Sequence, residues 1–202
     1  MLDNKLGITN EIELLKEEER ITKLKALKLF DTNKINEFEI GTFNGLSSIH
    51  KFLFFDIYDF AGRMRNVNIA KGNFRFVPVM YLDAALKKID QMPQENFDNI
   101  IKKYVEMNVA HPFREGNGRS TRIWLDMILK KEINKVIDWS KVDKEEYLLA
   151  MERSPIKDTE IKVLLENALT DRINDREVYM KGIDVSYQYE GYNTYTMNEL
   201  DK

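Results

Sequence analysis

QENFDNIIKKYVEMNVAHPFREGNGRSTRIWLDMILKK, residues 94–131, is the stretch whose reading decides the fold. Phe97, Ile100, Ile101, Tyr104 and Val105 recur at helical spacing up to Ala110. That helix must break at His111-Pro112, because proline disfavours the α conformation in the residue before it. A second helix resumes near Asn117 and runs through RSTRIWLDMILKK. Outward from this helix–loop–helix unit the chain stays helical. Upstream, Asn10 with Glu13 makes a capping box that opens a helix through about Leu29. Ile12, Leu15, Ile21, Leu24 and Leu27 would form its core face and Glu17 to Glu19 its solvated side. FNGLSSIHKFLFFDIYDF predicts a helix from Phe43 to about Tyr58, apolar on most sides and so central. NVNIAKGNFRF carries the one β signal: Val67 and Ile69 alternate with polar residues, Lys71-Gly72-Asn73 is turn chemistry, and Phe74 and Phe76 alternate again. Further helices are expected at about Met80 to Gln91, from Asp143, and over SPIKDTEIKVLLENAL, with Gly182 as a helix stop and SYQYEGY as a short final helix. The fold class is all-α with one short β-hairpin.

Composition bounds the function. A chain of 202 residues can bury a real core as one domain, 1–202, with its core over about 10–181. Lys and Arg number 31 against 34 for Asp and Glu, so the net charge of -3 speaks against direct nucleic-acid binding. The chain has no cysteine, which excludes disulfides, thiolate zinc sites and cysteine nucleophiles. Its two histidines, His50 and His111, cannot make a three-histidine metal site in one chain. No run approaches the roughly 20 apolar residues of a membrane span. MLDNKLGITNEIELLKEEER lacks the basic start and apolar run of a secretory signal, so a cytoplasmic location is expected.

The loop HPFREGNGRSTR, residues 111–122, concentrates the chemistry. Gly116, Asn117 and Gly118 precede a helix start, where unobstructed backbone N–H groups and the helix dipole make an anion site. Arg119 and Arg122, three apart, share a helical face and can fork onto phosphate oxygens. Glu115 could hold a Mg²⁺ that those phosphates complete. His111 is the histidine placed to act as a base near neutral pH, whereas His50, on the central helix, reads as a satisfied core residue. Any one of these residues alone would be an ordinary turn or surface residue. The twelve together suit transfer of a phosphorus-containing group.

This segment resembles the signature of the Fic family, HxFx(D/E)GNGRxxR, with every fixed position filled. LSSIHKFLFFDIYDFAGRMRNVNIAKGNFRF resembles the family's upstream helix, AGxxR turn and flap hairpin, which extends the likeness from about Leu46 to Lys130. The resemblance implies a protein adenylyltransferase that moves AMP from ATP to a Ser, Thr or Tyr hydroxyl. It implies His111 as base, Glu115 as the Mg²⁺ ligand, Gly116 to Gly118 as the phosphate cradle, Arg119 on the phosphate chain and Arg122 on the γ-phosphate. The flap, Val67 to Phe76, would pair with an extended segment of the target protein. Lys71 at its tip would touch nucleotide or target, with a solvated turn lysine as the equal alternative. Phe113 would pack the loop and Pro112 shape its entry. Gly118 stands where phosphorylating Doc-type relatives carry lysine, which favours AMP transfer.

SYQYEG, residues 186–191, resembles the family's inhibitory motif, [S/T]xxxE[G/N]. That implies a C-terminal inhibitory helix over about 183–192, in which Ser186 opens the motif and Glu190 pairs with Arg122 in the γ-phosphate's place. Tyr187 and Tyr189, beside Glu190, become candidates for self-modification on release. The alternatives are removal of AMP from a modified protein, phosphocholine transfer on the same scaffold, and a non-enzymatic interaction role. A toxin-like growth arrest and a homo-oligomer are further expectations from the resemblance.

Overall fold

The computed structural model describes residues 1–72 and 74–202; Asn73, read above as part of the hairpin turn, lies outside them. Helices dominate: α1 Glu11–Asp31, α2 Phe43–Phe54, α3 Val79–Asp90, α4 Phe97–Ala110, α5 Asn117–Ile133, α6 Lys144–Arg153, α7 Thr159–Asn167, α8 Arg176–Tyr189 and the short α9 Met197–Leu200. β1 Ala70–Lys71 pairs antiparallel with β2 Phe74–Arg75, and β3 Val136–Ile137 with β4 Leu169–Thr170. The predicted caps form: Asn10 accepts from Glu13 N, and Asp143 accepts from the N–H groups of Glu145 and Glu146. α5 lies at the centre, packed on α4, α2 and α8, and its Trp124, Leu125, Ile128 and Leu129 are buried.

Several expectations need correction. The first half of α1 departs from the expected faces: Ile12 and Leu15 are 66% and 45% exposed, whereas Glu18 and Glu19 are 1% and 0% exposed, while Leu27 is buried as expected. Their partners lie far along the chain. Glu18 meets Arg119, Tyr58 and Tyr192; Glu19 and Asp184 both pair with Lys23, and Glu19 also takes the backbone N–H groups of Thr194 and Tyr195. Buried charges persist only when so paired. α2 ends at Phe54, not Tyr58, in a turn that sends the Tyr58 hydroxyl to Glu18. Gly182 does not stop a helix. It sits inside α8, where a Cβ would come 3.1 Å from the Trp139 ring, so its smallness serves close packing. The helix that leads into Glu190 therefore starts at Arg176 instead of near residue 183. The β3–β4 pairing and α9 escaped the sequence reading, both being too short to carry a period.

Candidate active site

The loop between α4 and α5 is built from backbone outward. His111 caps α4 with its N–H bonded to the Met107 carbonyl and a left-handed φ of 49°. Gly116 precedes α5 with φ 75°, where a Cβ would strike the Phe54 ring at 2.4 Å. Asn117 staples the loop: its Oδ1 accepts from Phe113 N and its Nδ2 donates to Phe113 O, both at 2.8 Å. Phe113 is buried and stacks on His50 with ring centroids 3.8 Å apart. Pro112 is buried, and its carbonyl accepts from Arg65 N.

His50 does more than fill the core. Its Nδ1 accepts from Gly62 N at 2.8 Å, so its proton sits on Nε2, which donates to the Glu115 carbonyl at 2.8 Å. Burial holds its pKa down at about 3, which keeps the ring neutral. The sign gives a prediction. A histidine whose folded pKa lies below its usual 6.5 stabilises the fold fully above about pH 6.5, and that contribution fades as pH falls toward 3. His50→Leu leaves the Gly62 N–H and the Glu115 carbonyl without partners. Denaturant unfolding should show a loss of about 2–4 kcal/mol, from two orphaned backbone groups, and a weaker acid dependence. An unchanged midpoint would remove His50 from the loop's support.

One cleft of about 980 Å³ gathers most of the predicted site. His111, Glu115, Gly116, Asn117, Gly118, Arg122, Glu190 and the flap's Lys71 all line it. The flap's Phe76 stacks on His111 at 3.7 Å between centroids. Burial is the largest influence on the His111 ring, and the cations Arg65 and Lys71 add to it against Glu190 and the Asn108 carbonyl. The pKa falls to about 4 and the ring is neutral at pH 7. Glu115 is half-exposed, and its Oε1 accepts from both Arg119 Nη2 and Gly116 N. A lone carboxylate at the mouth of an anion cradle fits a magnesium ion completed by phosphate oxygens and water.

Arg119 stands apart from the cleft. It is buried beneath the loop, with Nη1 on Glu18 at 2.6 Å and Nη2 on Glu115 at 3.0 Å, and its guanidinium lies over the rings of Phe54, Tyr187 and Tyr192. In this conformation it braces the loop and meets no position open to phosphate. Arg122 is buried and spends its donors on the α8 end: Nε to Ser186 Oγ at 2.7 Å, and Nη2 to Ser186 O and Glu190 Oε1, both at 2.9 Å. Burial opposes the charge on Glu190, but Arg122 outweighs it and holds the pKa down at about 2. A Cβ on Gly118 would come 2.2 Å from Glu190 Oε1, so the glycine admits this pair. Tyr187 and Tyr189 are buried, and the Tyr189 hydroxyl donates to the Val142 carbonyl. Neither is presented for modification unless α8 leaves its place.

The flap is shorter than expected. Among the described residues its ladder pairs Ala70↔Arg75 and Lys71↔Phe74, Phe76 N continues it to Ile69 O, and Val67 lies outside it with its carbonyl taken by Arg65. Sequence reasoning missed Glu18, Tyr192 and Arg65 as supports of the site. Arg65 carried a signal, as the last residue of the AGxxR turn.

Residues 42–129 match the model of the Fic/DOC family. The chain is 29% identical over 98% of its length to the protein adenylyltransferase VbhT of Bartonella schoenbuchensis, of which it spans 41%. It is 26% identical over 85% of its length to a probable protein adenylyltransferase Fic of Salmonella typhimurium, covering 88% of that protein. Among solved structures, the N-terminal FIC domain of Bep8 from Bartonella sp. 1-1C superposes with a TM-score of 0.72 at 20% identity, covering 86% of this chain and 92% of that one. BepC from Bartonella tribocorum, with bound AMPPNP, superposes with a TM-score of 0.67 at 20% identity, covering 84% of this chain and 92% of that one. At these identities the structural likeness speaks for the fold. No described helix is long and apolar enough to cross a membrane.

Proposed function

From the match of residues 42–129 to the Fic/DOC family model and the likeness to protein adenylyltransferases, we propose that this chain is a Fic/DOC family member and a protein adenylyltransferase held in check by Glu190. The observation that carries the reading is the convergence, on one cleft, of a neutral His111, the glycine-lined N-terminus of α5 and the Glu115 carboxylate. The curated relatives named as adenylyltransferases and the AMPPNP bound to BepC agree with a nucleotide in such a cleft.

In the proposed reaction the target's hydroxyl oxygen attacks the α-phosphorus while His111 takes its proton. The bond from the α-phosphorus to the bridging oxygen breaks, and pyrophosphate leaves with that electron pair. The backbone N–H groups at the start of α5 would hold phosphate oxygens, and Glu115 would hold a divalent cation. That ion, when bound, neutralises phosphate charge and draws the leaving group's electrons. Lys71, at the flap tip on the cleft, offers a further cation to the nucleotide. An extended target segment adds to the exposed edge of β1 and β2.

The test is transfer of label from ATP onto protein in a lysate by the Glu190→Gly variant, with α-labelled and γ-labelled ATP compared. Label from the α position alone supports AMP transfer. Label from the γ position alone would mean phosphorylation and overturn the reading. Failure of both, with ATP bound, would turn it toward AMP removal or phosphocholine transfer. The pH profile gives a second check. A base must be neutral to accept a proton, so activity is lost as pH falls through the pKa of His111. kcat/KM should stay level from about pH 8 down to about pH 5, then fall as pH nears 4. An acid limb centred near 6.5 would remove His111 as the low-pKa base described here.

A further inference from the structure

We infer that Arg65 is a positioning residue that suspends the flap and the catalytic base from one guanidinium, so that seating a target on the flap and aligning His111 become one geometric event. The role rests on the AMP-transfer reading above. Arg65 is 3% exposed, and among the described residues it forms no ion pair. A buried guanidinium keeps its place only by using its donors. Its three nitrogens make four bonds here, all to backbone carbonyls. Nε donates to His111 O at 2.7 Å and Nη2 to Ala110 O at 3.1 Å, on the loop side. Nη1 donates to Val67 O at 2.8 Å and Nη2 to Val77 O at 2.5 Å, one on each leg of the flap.

This arrangement exceeds what a fold staple requires. His111 is a non-glycine residue at φ 49°, a conformation that costs about 1–2 kcal/mol and persists only where the surroundings impose it. The Arg65 bond to the His111 carbonyl is one such imposition. The same guanidinium fixes the two points where the flap's legs part, and Val77 N returns to Val109 O. Phe76, between them, is thereby stacked on the His111 ring. A shift of the flap is transmitted to the base through Arg65 at its carbonyl and through Phe76 at its ring. The nucleotide cradle at the start of α5 makes no contact with Arg65.

The test uses the full chain in a Glu190→Gly background, with Arg65→Met and Arg65→Lys. With only two histidines, the imidazole titration of His111 is readable by NMR and assignable with His111→Ala. For Arg65→Met, the His111 pKa should climb toward 6.5 from the low value of the Glu190→Gly parent, because a nearby cation and the packing that dries the ring are both lost. Labelling at neutral pH should fall about ten- to a hundredfold, the scale of a misplaced catalytic group, while Kd for ATP stays within about twofold. Arg65→Lys keeps the charge but cannot span four carbonyls, so it should fall between. A folded Arg65→Met with an unchanged His111 titration and labelling rate overturns the inference. If the Met variant does not fold, Arg65→Lys decides by the same readouts, and failure of both to fold makes Arg65 a scaffold residue and also overturns it. If the Glu190→Gly parent labels nothing, the AMP-transfer reading has failed, while the His111 titration still judges the Arg65 contact.

Discussion

Replacing Glu190 by glycine is expected to raise AMP labelling by about ten- to a hundredfold, with ATP still bound. The magnitude follows from the contact removed. The charge-assisted bond between Glu190 and buried Arg122 is worth about 1.5–3 kcal/mol, and each 1.36 kcal/mol recovered as productive binding is tenfold in rate. On the proposed reading the triphosphate's last group takes Arg122, so loss of the carboxylate would remove a repulsion as well as a competitor. Glu190→Gln should fall between, since it keeps an acceptor for Nη2 and loses the charge. Arg122 would remain on Ser186 alone, so Glu190→Gly should unfold earlier without nucleotide and gain more from ATP than the parent does. Because Glu190 titrates near 2, repression in the parent should hold across the physiological pH range and yield only in strong acid. Equal labelling by parent and variant, with ATP binding confirmed, would discredit the inhibitory reading of Glu190.

The tail beyond Glu190 bears on how firmly that contact is held. Tyr192 donates to Glu18, which also takes Arg119; Thr194 and Tyr195 are clamped by Glu19; and Lys23 reaches Asp184 and the Tyr195 carbonyl. One face of α1 thus grips both the brace of the phosphate loop and the segment that carries Glu190. This explains why α1 was misread from periodicity. A helical pattern finds apolar residues such as Leu27, but the buried side here also carries Glu18, Glu19 and Lys23, whose partners lie 101 residues away in Arg119 and 161 away in Asp184. Nothing local marks such a face. The loop itself was legible because its meaning is local: His111-Pro112 breaks a helix, glycines precede another, and the arginines follow at fixed spacing. Spacing could not separate the fates of those arginines. Both are buried, yet Arg119 points at Glu18 and Arg122 at Ser186 and Glu190, a distinction made wholly by α1 and α8. His50 was rightly read as a satisfied core histidine, but what satisfies it, the Gly62 N–H and the Glu115 carbonyl, joins two turns that no sequence window contains together.

In the Glu190→Gly background, His111→Ala is expected to remove between about 10² and 10⁴ of the labelling rate, the usual range for a positioned general base. The ring sits on the cleft under Phe76 and its pKa of about 4 leaves it neutral at pH 7, so the loss should be one of chemistry, not of binding. ATP affinity should hardly change, because the cradle is made of α5 backbone and Glu115, which the substitution leaves in place. A structural objection has to be met, since residue 111 lies at φ 49° and alanine resists that conformation. His111→Asn answers it. Asparagine tolerates the left-handed region, keeps the backbone where it is and still cannot serve as a base of the required strength. The two variants should therefore be equally inactive while differing in stability, the Ala form being the weaker by about 1 kcal/mol. Added imidazole should restore part of the rate in His111→Ala, where the vacated ring site opens onto the cleft. Labelling by either variant at more than about a tenth of the parent rate would mean that the hydroxyl proton leaves by another route, and the base would then have to be sought among the carboxylates that line the same cleft.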